Sequence, residues 1–331
     1  MENTLGWGLV GASTIAHEWM IDAIRAQPGN HIAGVMSQSA ERGADYAVQH
    51  DIPNSYDSLE ALLANPAIGA VYISTTNEHH APQAIAAAAA GKHVMCEKPL
   101  AMTIDDANAI VQACDAACVV LGTNHHLRNA ATHQAMRKLI HEGAIGKPLF
   151  ARVFHAVNLP DHLQGWRINS AQSGGGVILD ITVHDTDTLR YLLNSEPTEV
   201  SAMSRIEGPV ENGVMAVMRF ENGVVAQLHD AFNVPYAGTG IEIHGSEGSI
   251  FGRDVMTQRA TGEVRLRDAN GERDIPITHH NLYTHTLAQF NRAITGECSP
   301  TATGQDGVRS LTTALAVIKA TQTGSTVKIT F

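Results

Sequence analysis

The feature that most constrains this chain is a short apolar strand that runs into a glycine and then into a helix. Residues 5–10 read LGWGLV, Gly11 follows, and apolar positions at helical spacing occupy 14–26. Such an entry starts a strand–turn–helix unit in which backbone N–H groups at the helix N-terminus can receive a phosphate. Gly6, Gly8 and Gly11 formally spell GxGxxG, but that register lies inside the strand. The turn register is Gly11-Ala12-Ser13-Thr14-Ile15-Ala16, a GxSxxA variant. Gly11 makes the tight turn, Ala16 is small enough for close helix–strand packing, and Ser13 replaces the middle glycine with a hydroxyl that can face a phosphate oxygen.

The alternation continues. Strands are expected at 32–36, 70–74, 94–96 and 119–121, and helices at 58–63, 81–90 and 103–117. Strand–helix alternation of this kind gives α/β architecture, a Rossmann-type doubly wound parallel sheet, over residues 1–125. NAD-binding folds place an acid at the end of the second strand, about 20 residues beyond the glycine turn, for the ribose 2′-hydroxyl. Here that place holds Ser37-Gln38-Ser39, with Arg42 shortly after. An acid would repel a 2′-phosphate, whereas Ser37 and Arg42 can bind one, so the expected cofactor is NADP. The loop Thr75-Thr76-Asn77-Glu78-His79-His80 falls at the carboxyl end of the 70–74 strand, where ligands bind in doubly wound sheets. Glu97-Lys98-Pro99 falls at the end of the 94–96 strand. The proline biases Lys98 toward an extended backbone and makes a cis bond possible.

Composition narrows the function. The chain has 331 residues, enough for two domains, and is 44% hydrophobic and 17% charged, so it can bury a full core. The net charge is −11, without a basic run, which disfavours nucleic acid or an anionic membrane surface as partner. No stretch has the length of a membrane span, and the N-terminal MENTLGWGLVGAS lacks the basic and apolar regions of a signal peptide. Cys96, Cys114, Cys118 and Cys298 form no CxxC pair; Cys114 and Cys118, at i, i+4, are expected to be buried reduced thiols, which points to a cytoplasmic protein. The histidine doublets 79–80, 125–126 and 279–280 point their side chains different ways and make poor metal pairs. Asp180, His184 and Asp187 can be imagined as ligands, but no metal site is expected.

The second half, residues 126–331, is expected to be an α+β substrate domain. After a helix over 131–142 and a strand over 149–157, strand patterns recur at 199–205, 213–220, 224–230, 240–244, 249–251 and 263–267, followed by helices at 283–295 and 304–323. Glu221-Asn222-Gly223 is a hairpin turn, so this sheet is mostly antiparallel. Its open face must be covered by helices, by solvent-tolerant side chains or by a second subunit, which leaves monomer and homo-oligomer both open. Ahead of these strands lies GGGVILDITVHD, residues 174–185, which places Asp180 and His184 at i, i+4 on an expected helix. A carboxylate beside an imidazole is an acid/base pair suited to neutral pH. Trp166-Arg167, in an expected loop before the glycines, can stack on a ring and hold an anionic or sugar oxygen.

With the glycine turn, AGKHVMCEKPLAMT and SGGGVILDITVHDTD in this order, the chain resembles the glucose-fructose oxidoreductase / inositol dehydrogenase / rhizopine-catabolism family along nearly its whole length. The resemblance implies a Rossmann domain followed by a domain built on a large, mostly antiparallel open sheet. It also implies that Lys98, Asp180 and His184 are catalytic. GASTIA, STTNEHH, GTNHHLRNA, LQGWR and VILDITVHD resemble an NADPH-dependent sugar reductase subgroup of that family. From it the implied cofactor contacts are Gly11, Ala12, Ser13, Thr14, Ile15, Ser37, Gln38, Arg42, Thr75, Thr76, Asn77, Glu78, His79, His80, Glu97, Lys98, Asn124, Trp166, Arg167 and Tyr283. Thr182 stands where the wider family has a glycine, a change the reductase subgroup tolerates. The expected reaction is hydride reduction of a keto sugar, with His184 or Lys98 giving the proton and Asp180 orienting both. Another NAD(P)-dependent sugar or polyol dehydrogenase is the alternative enzyme, and a non-catalytic NADP-binding regulator the alternative of another class.

Overall fold

A computed structural model describes residues 4–331; Met1, Glu2 and Asn3, the start of the segment compared with a signal peptide, lie outside the described residues. The chain divides into two units. The first takes the chain through His125 and adds Tyr283–Val308; the second comprises His126–Leu282 and Arg309–Phe331. The first break falls at residue 125, but the return of Tyr283–Val308 to the first unit departs from the expectation of an uninterrupted second domain over 126–331.

The first unit is built on six parallel strands: β1 (Leu5–Val10), β2 (Asn30–Met36), β3 (Ser55–Tyr56), β4 (Ala70–Ile73), β5 (His93–Cys96) and β6 (Leu121–Thr123). Their order, β3-β2-β1-β4-β5-β6, is the doubly wound order. β1, β4 and β5 are almost wholly buried, as strands covered on both faces must be. β6 begins two residues later than expected, because the helix Ile104–Ala116 ends in a turn through Cys118 at φ 54°. That turn exposes Cys118 while Cys114 stays buried, which corrects the expectation that both are buried. The returning segment completes this unit. Phe290 packs against Trp7 with ring centroids 5.6 Å apart. Gln27 donates to the Thr284 carbonyl at 2.9 Å, and Gly122 bridges to Thr303 beyond the edge of β6.

The second unit is built on nine strands. They are β7 (Pro148–Ala156), β8 (Pro197–Ile206), β9 (Glu211–Phe220), β10 (Val225–Ala231), β11 (Thr239–Gly245), β12 (Gly248–Arg253), β13 (Glu263–Asp268), β14 (Gly271–Ile275) and β15 (Val327–Lys328). The order is β14-β13-β12-β11-β7-β10-β9-β8-β15, and only β7 and β10 run parallel. β14 and β15 are too short and polar to stand out in the sequence. Alternate residues of β9 and β10, among them Val214, Ala216, Met218, Ala226 and Leu228, are buried on one face. The opposite face carries cross-strand ion pairs, including Arg152 with Glu242 at 3.1 Å and Arg219 with Glu199 at 2.9 Å, mixed with exposed Phe150, Met203 and Met215. On the buried face the helix over 178–193 packs against β7, β9 and β10.

Candidate active site

In the first unit the site is assembled at the carboxyl ends of the strands. Gly11 has φ +110°, and a Cβ there would press on the Ser74 carbonyl and on Thr75 Cγ2, so the turn off β1 needs glycine. Ser13 has a structural task besides the phosphate role expected of it: its Oγ accepts from the Ala16 N–H at 3.1 Å as a helix cap, and it pairs with Ser74 Oγ at 2.7 Å. Beside this turn opens a cavity of about 420 Å³, lined in part by Ala12, Ser13, Thr14, Ser39, Arg42 and Tyr46. Arg42 reaches it from the helix Ala40–Gln49, whose N-cap is Ser39, and donates to the Ala12 carbonyl at 2.5 Å. Ser37 is buried next to it at the end of β2, its hydroxyl accepting from the Ser39 N–H at 3.3 Å, while Gln38 is exposed.

Sequence reasoning missed Tyr46 and His17. Tyr46 lies one helical turn after Arg42 and donates to the Ser13 carbonyl at 3.0 Å; burial pushes its hydroxyl pKa up. His17 lies one turn after Ser13, faces His50 at 4.7 Å between ring centroids, and also lines the cavity. Spacing of i, i+4 from an already chosen residue was the signal available for both. Glu41 and Asp45 line the cavity too. A phosphate there must therefore be held by Arg42 and by backbone N–H groups, since the cavity as a whole is not positive.

The loop after β4 enters the helix His80–Ala89 through a tight turn over Asn77–His79. Thr75, Thr76, Glu78 and His79 are half-buried, and Asn77 is buried. His80, expected at the cofactor, is instead fully buried, with Nδ1 2.9 Å from the Pro99 carbonyl and Nε2 3.2 Å from the Thr75 carbonyl. It pins this loop to the cis Lys98–Pro99 bond. Burial lowers the His80 pKa, while its contacts with the Pro99 and Thr75 carbonyls pull the other way. Glu97 is buried between two donors, Tyr72 Oη at 2.5 Å and Asn124 Nδ2 at 2.6 Å. Burial raises the Glu97 pKa, against the pull of those donors and of Lys98. Lys98 itself is half-buried. Tyr283 is fully buried in the first unit, stacked on Trp19 at 5.6 Å, which makes its ring part of the core.

In the second unit Trp166 and Arg167 lie on the short helix Asp161–Asn169, broken at Gly165, and not in a loop. Arg167 stacks over the Trp166 ring at 4.7 Å, and its Nε lies 3.4 Å from Asp180 Oδ1. The glycine run packs tightly under that helix. Gly175 N–H donates to Ser170 O and Gly176 N–H to Arg167 O, both at 2.8 Å; a Cβ on Gly175 would collide with the Trp166 carbonyl, and one on Gly176 with the Glu211 carboxylate. These glycines thus serve the local fold. Asp180 does not lie on a regular α-helix: Ile178–Thr182 is a π turn, and the α-helix proper is Val183–Leu193. π turns are rare and concentrate at functional sites. His184 is buried, edge-on to His126 at 4.8 Å. Asp187 is not available as a metal ligand, because Arg128 grips both its carboxylate oxygens at 2.7 Å.

Residues 5–140 match the model of an oxidoreductase family with an NAD-binding Rossmann fold, and residues 133–251 match the GFO/IDH/MocA C-terminal domain. The chain is 58% identical to a 1,5-anhydro-D-fructose reductase of Ensifer adhaerens over 98% of both chains. It belongs to the GFO/IDH/MocA oxidoreductase family. A myo-inositol 2-dehydrogenase of Thermotoga maritima is 28% identical over 84% of this chain and 85% of that one. Among solved structures, the aldose-aldose oxidoreductase of Caulobacter crescentus in complex with glycerol superposes with a TM-score of 0.91, at 27% identity, over 99% of this chain and 100% of that one. The protein is therefore an oxidoreductase of this family, and its Rossmann unit serves a nicotinamide cofactor.

Proposed function

We propose that this GFO/IDH/MocA oxidoreductase reduces the 2-keto group of 1,5-anhydro-D-fructose to 1,5-anhydro-D-mannitol at the expense of NADPH. The observation that carries the reading is the identity of 58% with a reductase of that substrate, spread over 98% of the chain. The choice of NADPH is supported by Arg42 and Ser39 at the cavity beside the Gly11–Thr14 turn, and by Ser37 where an acid would otherwise meet a ribose hydroxyl.

The cofactor, when bound, supplies the hydride. The backbone N–H groups of Ala12 to Ile15 and the Arg42 guanidinium would hold its phosphates, with Thr75 to His80, Glu97 and Asn124 as its further contacts at the strand ends. As charge develops on the carbonyl oxygen, His184 donates a proton to it and Lys98 donates a hydrogen bond to the same oxygen or a neighbouring hydroxyl. Asp180, one turn before His184, would orient it and stabilise its charged form. Trp166 and Arg167 would offer a ring face and a guanidinium to a bound ligand.

The test is to follow NADPH consumption by the purified protein with 1,5-anhydro-D-fructose and to identify the epimer formed. Turnover with NADPH, far exceeding that with NADH, and the manno product are expected. Oxidation of inositol with NAD and no reaction with anhydrofructose would overturn the reading in favour of a polyol dehydrogenase. Binding of NADPH without turnover of any ketose would overturn it in favour of a regulator.

A further inference from the structure

The inner side of the segment that carries His184 holds a group for which the reaction has no use. Asp185 follows His184 directly and is fully buried; Asp230, on β10, is fully buried as well. Each carboxyl has one oxygen served by a neighbour. His155 Nδ1 lies 2.9 Å from Asp185 Oδ1, and Thr182 Oγ1 donates to Asp230 Oδ2 at 2.5 Å. The remaining oxygens, Asp185 Oδ2 and Asp230 Oδ1, are buried and receive no donor from any other group. The two carboxyls are close enough for each to act on the other's ionisation, with burial the larger cause for both. Two buried carboxylates in contact cannot both ionise; one proton between them satisfies both oxygens.

The arrangement is fixed by the sheet. Asp230 and His155 are paired in the register of β10 and β7, so both point to the buried face under the helix. The charged and titratable groups packed here are His155 from β7, Asp230 from β10, Asp185 from the helix and, behind His155, the fully buried His133 from the helix Ala131–His141. Burial raises the pKa of both carboxyls, which keeps the shared proton in place. The π turn is thereby tethered at each end to a different strand. Glu211 of β9 accepts from the Ile178 N–H at 3.2 Å, and Asp230 of β10 accepts from Thr182.

We propose that Thr182, Asp185 and Asp230 are positioning residues that lock the π turn onto the sheet and so fix where Asp180, inside the turn, and His184, just after it, stand. This rests on the reading of His184 as proton donor. Thr182 supplies a hydroxyl at this place; a glycine has none to give. The experiment compares Thr182→Val, which keeps shape but loses the donor, with Thr182→Ser, which keeps the donor. Valine is expected to lower kcat about tenfold, the effect of leaving a buried acceptor unserved, with the Kd for NADPH and the KM for the sugar unchanged. Serine is expected to restore kcat. A readout independent of turnover is the infrared carbonyl band of a protonated carboxylic acid, expected to persist in the wild type at mildly alkaline pH and to vanish in Asp230→Asn. Wild-type kcat in Thr182→Val, or no such band in the wild type, overturns the proposal even where Asp230→Asn fails to fold. If His184→Ala retained full turnover, the proton-donor reading would fall instead, and the carboxyl band would still be present.

Discussion

The Arg167 guanidinium lies 3.4 Å from the Asp180 carboxylate and at the same time stacks on Trp166. One side chain thereby links the helix over 161–169 to the π turn of the proposed active site. Arg167→Ala should lower kcat/KM about tenfold through misplacement of Asp180, and Arg167→Lys, which cannot stack and pair at once, should recover only part of it. Steady-state kinetics with varied sugar check this; a lysine variant equal to the wild type would show that charge alone suffices.

His184 carries the largest expected effect. General acid catalysis is typically worth ~10²–10⁴ in rate, so His184→Ala should cut kcat by that order and leave the Kd for NADPH nearly unchanged. Fluorescence titration of NADPH alongside single-turnover rates separates the two quantities.

Arg42 should decide between the two nicotinamide cofactors. A charge-assisted hydrogen bond to the 2′-phosphate is worth roughly 1.5–3 kcal/mol, so Arg42→Ala should weaken NADPH binding about 10- to 100-fold and leave NADH almost untouched. Ser37→Asp should go further and favour NADH, since a carboxylate there repels the phosphate and accepts from a ribose hydroxyl. Equal losses for both cofactors in Arg42→Ala would place the arginine in folding, where its bond to the Ala12 carbonyl matters more.

His133 sets a pH dependence of stability. It is fully buried, and burial pushes its pKa from 6.5 down to about 4. Between these values the unfolded chain binds the proton and the native one does not, so stability from this group is complete above 6.5 and is lost as pH falls through about 4. The slope is about 1.4 kcal/mol per pH unit. The Tm of wild type relative to His133→Leu should therefore fall steadily on acidification across that window; a constant difference would refute it.

Much of the first unit was legible because its signals are local. Gly11 to Ala16 and Glu97-Lys98-Pro99 announce a turn and a strand end within a few residues, and apolar runs mark each parallel strand. What stayed hidden depends on partners distant in the chain. Thr182 meets Asp230 across 48 residues and Arg128 meets Asp187 across 59. Such contacts follow from strand register and not from any spacing along the chain. The helix over 161–169 was hidden for a different reason: its polar composition and the break at Gly165, φ 35°, read as a loop. The structural part of His80 was hidden likewise: a histidine at a strand's carboxyl end gives no sign in the sequence that both of its ring nitrogens face backbone carbonyls.

Phe290 tests the closure of the first unit. It is fully buried against Trp7, so Phe290→Ala should cost about 3–5 kcal/mol of stability, measured by denaturant unfolding. A loss below 1 kcal/mol would mean that the returning segment is only loosely attached.

That segment has a consequence for how the protein is made. The cofactor unit is begun by β1 and completed by Tyr283–Val308, which is synthesised only after most of the second unit. A chain halted at residue 282 would own every strand of the six-stranded sheet and still lack Phe290 against Trp7 and Gly304 against Leu121. Nucleotide added during synthesis should therefore stabilise only chains that already contain Tyr283–Val308, and an exchange of modules cut at residue 125 would transplant the strand-end loops without the segment that packs beside their sheet.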